Sequence, residues 1–297
     1  MLTHQFVSIQ KPSRVVILGA KGFLASALIH DLEMSNINCR PAGSAEADLT
    51  DSAAVEKLGG ILSPDDVLVF PAALTPDKGR DAATLMQNLR MAEHVSAVLA
   101  RVACAHLVYI SSDAVYDWRS SLINEESSCE PIDLYALMHI ARERMLSSAC
   151  RNAKIPFAAI RPCAVYGPGD THNSYGPNRF IRNALAEGVI RLFGEGEEQR
   201  DHVYVRDVAE IVRLCILHRS AGILNAVSGC AISFRSLAAR VAAAVARAVR
   251  VECQPRSGPV THRHFDITAL ACSFPSFRPT TLETGIAQSI DAISGML

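Results

Sequence analysis

The chain has 297 residues, a formal net charge of −1, and 49% hydrophobic but only 6% aromatic residues. Balanced charge removes the electrostatic reason to expect nucleic acid or an anionic membrane surface as a partner, and no apolar run approaches the roughly 18 residues that span a bilayer. Met1 to Ser13 lacks the apolar stretch of a signal peptide, and the nine cysteines, odd in number and without Cys-x-x-Cys spacing, read as free thiols of a reducing compartment, so a soluble cytoplasmic protein is expected.

Arg14 to Leu18 reads as a short apolar strand that runs into Gly19-Ala-Lys-Gly22-Phe23-Leu24-Ala25 and then a helical pattern. In that context Gly19 permits a tight turn and Gly22 lets a pyrophosphate approach the backbone. Ala25 is small enough for the helix to pack on the strand. A glycine-rich turn of this kind also occurs without a ligand. A second strand is expected from Ile37 to Pro41. A fold that prefers NAD usually offers an acid near the end of this strand, and none stands here before Glu46. Arg40 and Ser44 would suit a 2′-phosphate and tip the expectation from NAD towards NADP, while Arg40 reads equally well as a solvated charge. Asp48-Leu49-Thr50-Asp51 reads as a helix cap that also lies where an adenine would.

Asp66 to Phe70 is the third strand, ending in the small residues Pro71-Ala72-Ala73. A polar loop with Asp77, Lys78 and Arg80 leads to a helix over 82–102 that carries Asn88 on its first turns. A fourth strand, Leu107 to Ser111, feeds Ser111-Ser112-Asp113-Ala114-Val115-Tyr116. Pro131 can open the next helix, on which Tyr135 and His139 are four apart and share a face. Phe157 to Ile160 is the fifth strand, followed by Arg161-Pro162. Apolar strands alternating with helices predict an α/β fold, a parallel sheet covered on both faces, with ligands at the carboxyl ends of its strands. Beyond Pro162 the chain turns rich in Gly, Pro and Tyr. Helices are expected over 179–187, 205–218, 233–249 and from about Thr280, with strands at 190–193 and 222–227. His262 and His264 alternate as in a strand and have no third ligand nearby, so no metal site is expected.

Six motifs in order resemble the extended short-chain dehydrogenase/reductase family of NAD(P)-dependent sugar-nucleotide epimerases, dehydratases and reductases. They are Gly19-x-x-Gly22-x-x-Ala25, Ala72-Ala73, Asn88, Ser111-Ser112-Asp113-Ala114-Val115-Tyr116, Tyr135, and Arg161-Pro162-x-x-Val165-Tyr166-Gly167-Pro168. Gly194-x-Gly196 and Arg200-Asp-x-Val-Tyr extend the match. The resemblance implies a Rossmann-type doubly wound sheet over 1–162, rejoined by 200–228, and a smaller α/β substrate lobe from 163–199 and 229–297. It implies cofactor contacts from Gly19, Gly22, Phe23, Leu24, Arg40, Asp48, Leu49, Ala72, Ala73, Asn88, Ser111, Tyr135, His139, Pro162 and Val165. A nucleotide-sugar substrate would meet Lys78, Asp113, Asn178, Arg179 and Arg200, the last binding its phosphates. Ser112 would hydrogen-bond the reacting oxygen and Tyr135 would be the general acid/base. A homodimer through helices 82–102 and 132–150 is also implied.

Three positions depart from the family pattern. The lysine that sets the tyrosine's pKa is His139. Ala164 replaces an asparagine that contacts the sugar nucleotide. Ala114 stands where 4,6-dehydratases carry a catalytic glutamate, which disfavours dehydration. Two readings follow: an epimerase or reductase working through Ser112, Tyr135 and His139, or a protein that binds NAD(P) and a nucleotide sugar with catalysis reduced or lost.

Overall fold

The computed structural model describes residues 2–117, 119–120 and 122–295. In chain order the first half comprises β1 (Thr3–His4), β2 (Arg14–Leu18), α1 (Phe23–Met34), β3 (Cys39–Ala42), α2 (Ala54–Gly59), β4 (Asp66–Phe70), α3 (Ala82–Arg101), β5 (His106–Ile110) and α4 (Leu134–Ala153). The second half comprises β6 (Phe157–Pro162), β7 (Ala164–Tyr166), α5 (Pro177–Glu187), β8 (Val189–Phe193), β9 (Gln199–Tyr204), α6 (Val205–Leu217), β10 (Ser220–Ala226), β11 (Ala231–Ser233), α7 (Phe234–Ala244), β12 (Arg250–Gln254), α8 (Thr268–Ser273) and α9 (Leu282–Ser294).

The β2, β4, β5 and β6 segments are mostly apolar, and with the short, more polar β3 they lie in one sheet ordered β1-β10-β6-β5-β4-β2-β3. All neighbours are parallel except the short β1, which is antiparallel to β10. Side chains alternate between the two faces. Val15, Ile17, Val67 and Val69 face α1 and α6, while Val16, Leu18, Leu68 and Phe70 face α2, α3 and α4. This is the Rossmann-type doubly wound sheet. The chain leaves β2 for β3 on one side and β4 on the other, so the crevice between β2 and β4 is the switch point where such sheets bind ligands.

A third core, with Phe180, Ile190, Leu192, Leu237 and Val241, joins α5, α7 and α9 to the parallel pair β8–β12. A three-stranded sheet, β11-β9-β7, stands between this core and the large sheet's carboxyl ends, and the chain rejoins the large sheet at β10.

Four local expectations give way. Ile37 lies outside the second strand because its N–H closes the end of α1 on Leu32 (2.9 Å). Pro131 does not open α4; Asp133 caps that helix by accepting the Ala136 N–H at 2.8 Å. The helix expected to run to residue 249 ends at Ala244, where the chain turns to bring Arg250 N–H onto Gly188 O (2.9 Å) and start β12. His262 and His264 are not in a strand. Their rings do share one side, 6.3 Å apart, with Arg263 buried on the other.

Candidate active site

Gly19 follows β2 with φ +74°, in the left-handed region, and a Cβ there would stand 2.7 Å from the Ala72 Cβ. Only glycine lets the two strand ends come this close. Gly22 caps α1 with no side-chain hydrogen bond, and the first turn of α1 holds no acid. The free N–H groups of that turn therefore point at an open, electropositive corner, suited to a pyrophosphate. Phe23 and Leu24 are half-buried beside it.

Around this corner, several candidate residues bond to the protein itself. Asn88 is buried and brackets Leu74: its Oδ1 accepts the Leu74 N–H (2.8 Å) and its Nδ2 donates to the Leu74 carbonyl (3.0 Å). It thus shapes the Ala72–Ala73 wall from behind. Asp48 accepts from the Thr50 N–H and hydroxyl, which hold its carboxyl below the usual range, and Leu49 is buried with its carbonyl 2.8 Å from His94 Nδ1. Arg40 is exposed in mid-strand. The Glu46 carboxylate accepts the Gly43 N–H at 2.8 Å, which puts an acid directly after β3. Pro162 ends β6 and Val165 lies on β7, across the cleft.

At the end of β5, Ser111 donates to Glu143 Oε1 (2.5 Å), and Arg161 donates to both oxygens of Glu143 (2.9 and 2.6 Å). The next residue turns outward. The Ser112 oxygen caps the short helical turn 113–115 by accepting the Ala114 N–H at 3.1 Å. Its hydroxyl faces the Tyr135 oxygen closely enough to pull that phenol's pKa down. Burial and the nearby Asp113 outweigh this pull, and Tyr135 is pushed up to about 12.

His139 packs edge-on against Tyr135, with ring centroids 4.7 Å apart. Its Nδ1 lies 2.8 Å from the Tyr109 hydroxyl, and its Nε2 is buried without a partner. Burial first, then the nearby Arg142, depress the imidazole well below its ordinary pKa. It is therefore neutral. Burial keeps Tyr109 protonated, and its hydroxyl is hydrogen-bonded to Nδ1, with the donor set by the imidazole tautomer. In either tautomer Nε2 is a buried polar atom without a partner among the described residues.

On the substrate side the structure brings together Asp113, Arg200 and Arg263. Arg263 is buried and donates to the Asp113 carbonyl (2.6 Å) and carboxylate (3.0 Å). Arg200 donates to the Thr261 carbonyl (2.6 Å) and hydroxyl (2.8 Å) and lies near Glu198. Asn178 is buried, with its Oδ1 accepting the Gly167 N–H at 3.1 Å, so it holds a turn; Arg179 beside it is half-buried. Lys78 sits on the loop after β4, paired with Asp77 (3.3 Å). Asp77 in turn meets His172 at 2.9 Å, tying that loop to the one after β7. Arg142, Glu143, Tyr109 and Arg263 carry no role that the sequence alone assigns. The clearest available signal was charge inside an otherwise apolar helix face, at Arg142 and Glu143. A cavity of about 390 Å³ lies elsewhere, over Ser147, Arg151, Phe157 and Ile223, and the Ser112–Tyr135 pair does not line it.

The profile of the NAD dependent epimerase/dehydratase family matches residues 15–226. The fold is similar to that of a Thermus thermophilus UDP-glucose 4-epimerase in complex with NAD, with a TM-score of 0.82 and 22% identity over 96% of this chain and 100% of that one. A Methanobrevibacter ruminantium UDP-N-acetylglucosamine 4-epimerase in complex with UDP-N-acetylmuramic acid gives 0.84 at 21% identity, over 97% and 100% of the two chains. A GDP-L-fucose synthetase from Naegleria fowleri gives 0.85 at 16% identity, over 99% and 96%.

Proposed function

The chain belongs to the NAD dependent epimerase/dehydratase family, and from that premise we propose that it works on a nucleotide sugar, as an epimerase or a reductase. The observation that carries this reading is the placement of Ser112 just after β5 and of Tyr135 on the first turn of α4, whose His139 is held by Tyr109 of β5, on the sheet whose β2–β4 crevice forms the Gly19 corner. The residues fit NAD. Gly19, Gly22 and the uncapped first turn of α1 would hold its pyrophosphate, and Glu46 would take a ribose hydroxyl. His139 Nε2 would find its missing partner on the same ligand. Glu46 and the mid-strand position of Arg40 favour NAD over NADP. Bound there, NAD supplies the acceptor or donor of a hydride.

The chain's own residues then move the proton. Ser112 holds the reacting oxygen of the sugar, and Tyr135 takes its proton when that carbon is oxidised and returns it on reduction. Ala114 brings no second acid, so elimination of water lacks its catalyst. Arg200, Arg179 and Lys78 line the substrate side, and we assign the phosphates to Arg200. Residues 1–162 with 200–228 act as the cofactor lobe, and 163–199 with 229–297 as the substrate lobe. Exposed Met86 on α3 and Leu137 on α4 (50% and 42% accessible) are the apolar surface we assign to a homodimer. The nine free cysteines suit the cytoplasm.

The test has two parts. Protein freshly purified is denatured and its supernatant assayed for NAD and NADP; stoichiometric NAD favours the epimerase and counts against the reductase. Turnover of a panel of UDP-, dTDP- and GDP-sugars is then followed in wild type and Tyr135→Phe. Equal turnover in the two would sink the acid/base assignment. The second reading, a binding protein with little catalysis, is favoured by the neutral His139 and by Tyr135 at about 12. It predicts bound NAD and nucleotide sugar without turnover.

A further inference from the structure

Arg142 lies on α4 two turns beyond Tyr135 and is fully buried. Helix side chains lean towards the N-terminus, and this one reaches back to touch Met138 Sδ at 3.6 Å. From there its guanidinium donates to the Ala72 carbonyl (2.8 Å) and to Asn88 Oδ1 (3.5 Å). Its Cζ stands 4.2 Å over the Phe70 ring and 5.1 Å over the Tyr109 ring. All of these partners are neutral. Among the described residues no carboxylate pairs with Arg142, and the acidic groups acting on it are the phenols of Tyr109 and Tyr135. A guanidinium buried without a counter-ion is costly to the fold. Its placement makes sense if negative charge arrives beside it during the work of the site.

We propose that Arg142 is the fixed positive charge of this active site, a positioning residue that stabilises the Tyr135 phenolate from two turns along α4 while His139 stays neutral. The inference rests on the acid–base role given to Tyr135 above. The chain of contacts is continuous: the guanidinium over the Tyr109 ring, the Tyr109 hydroxyl on His139, and His139 edge-on to Tyr135. The charges facing Tyr135 are few. Asp113, after β5 and itself held by Arg263, and Asp133, at the cap of α4, oppose its ionisation. Ser112 and Arg142 favour it. Glu143 acts on Tyr109 and is neutralised by Arg161. Arg142 is thus the cation that favours the phenolate. It also grips the Ala72 carbonyl, so the same side chain couples the wall of the Gly19 corner to the acid/base.

The test reads Tyr135 directly, without substrate. Protein labelled with ¹³Cζ-tyrosine is titrated by NMR from about pH 7 to about pH 11, with the Tyr135 signal assigned from Tyr135→Phe. An opposite charge in the neighbourhood of a buried phenol shifts its pKa by about one unit. Wild type and Arg142→Lys should begin to ionise Tyr135 at the top of this range, and Arg142→Met should show roughly tenfold less phenolate at the same pH. Asn88→Asp, which sets a carboxylate on the guanidinium without removing it, should act like Arg142→Met and serves if that variant does not fold. Arg142→Met and Asn88→Asp proteins that ionise Tyr135 as wild type does would overturn the proposal. A displaced titration in a protein that turns over no nucleotide sugar would refute the enzymatic reading and leave the role of Arg142 standing.

Discussion

Two buried guanidiniums, one carried by α4 and one by β6, differ in what answers their charge. Arg161 donates to both oxygens of Glu143, which also accepts from Ser111. Its Cζ stacks 4.8 Å over Tyr116, whose hydroxyl donates to Asn225 at 2.7 Å. That circuit is closed: the positive charge has its anion, and the whole locks the end of β5 to α4 and β6. Arg142, bonded to a carbonyl, an amide and a thioether, is open. Residues 142 and 143 are adjacent in the chain, yet one leaves a charge available and the other consumes one. A buried ion pair tells of architecture. A buried ion without a partner tells of what is to come into the site.

Removing the phenol should give the largest effect. Tyr135→Phe should cut turnover by about 10²–10⁴-fold, measured by steady-state kinetics, with the denaturation midpoint barely moved. On the closed side, Glu143→Ala strands Arg161 in the interior. A broken buried pair costs about 3–5 kcal/mol, readable as a lowered urea midpoint. A loss below about 1 kcal/mol would mean that the circuit contributes little.

The cost of burying an unpaired charge can also be read in acid. His106 and His202 are buried and held neutral, each depressed to about 4 mainly by burial. As pH falls through about 6.5 the unfolded chain takes up these protons and the fold does not, so stability drains until about pH 4. Each site accounts for up to about 3 kcal/mol. Thermal midpoints between pH 7 and pH 4 should fall steeply, and His202→Asn should flatten the curve; an unchanged slope would reject this cause. The smallest effect is expected at the Gly19 corner. Gly19→Ala forces a Cβ into a left-handed residue at a cost of about 1–2 kcal/mol. It also crowds Ala72, and calorimetry should show weaker NAD binding with the Tyr135 titration intact.

The sequence was informative wherever structure is local. Short apolar strands, the glycine turn and the Asn88, Ser112 and Tyr135 positions stand in order along the chain, so the sheet and the Ser112–Tyr135 pair were legible. What surrounds that pair was not. Arg142 acquires meaning from Phe70, Ala72 and Asn88 on other elements. Arg263 acquires it from Asp113, 150 residues away. Asn88 and Ser111 read as cofactor contacts, and their bonds to Leu74 and Glu143 could not be read from the chain. The early end of α7 is likewise set by the pairing of β12 with β8, a distant contact that overrides an alanine-rich helical pattern.

The large sheet has one further property, which lies at its rims. On one side the outermost strand is β3, four residues long, with exposed Arg40 and Pro41. Proline has no N–H to offer a neighbouring chain, and an exposed charge resists being covered. On the other side the β10 rim is met by the two-residue β1, running in the opposite direction. A parallel sheet this apolar would otherwise present a template for strand addition at both ends. Arg40 thus also sets a charge on the rim where a second backbone would have to pair.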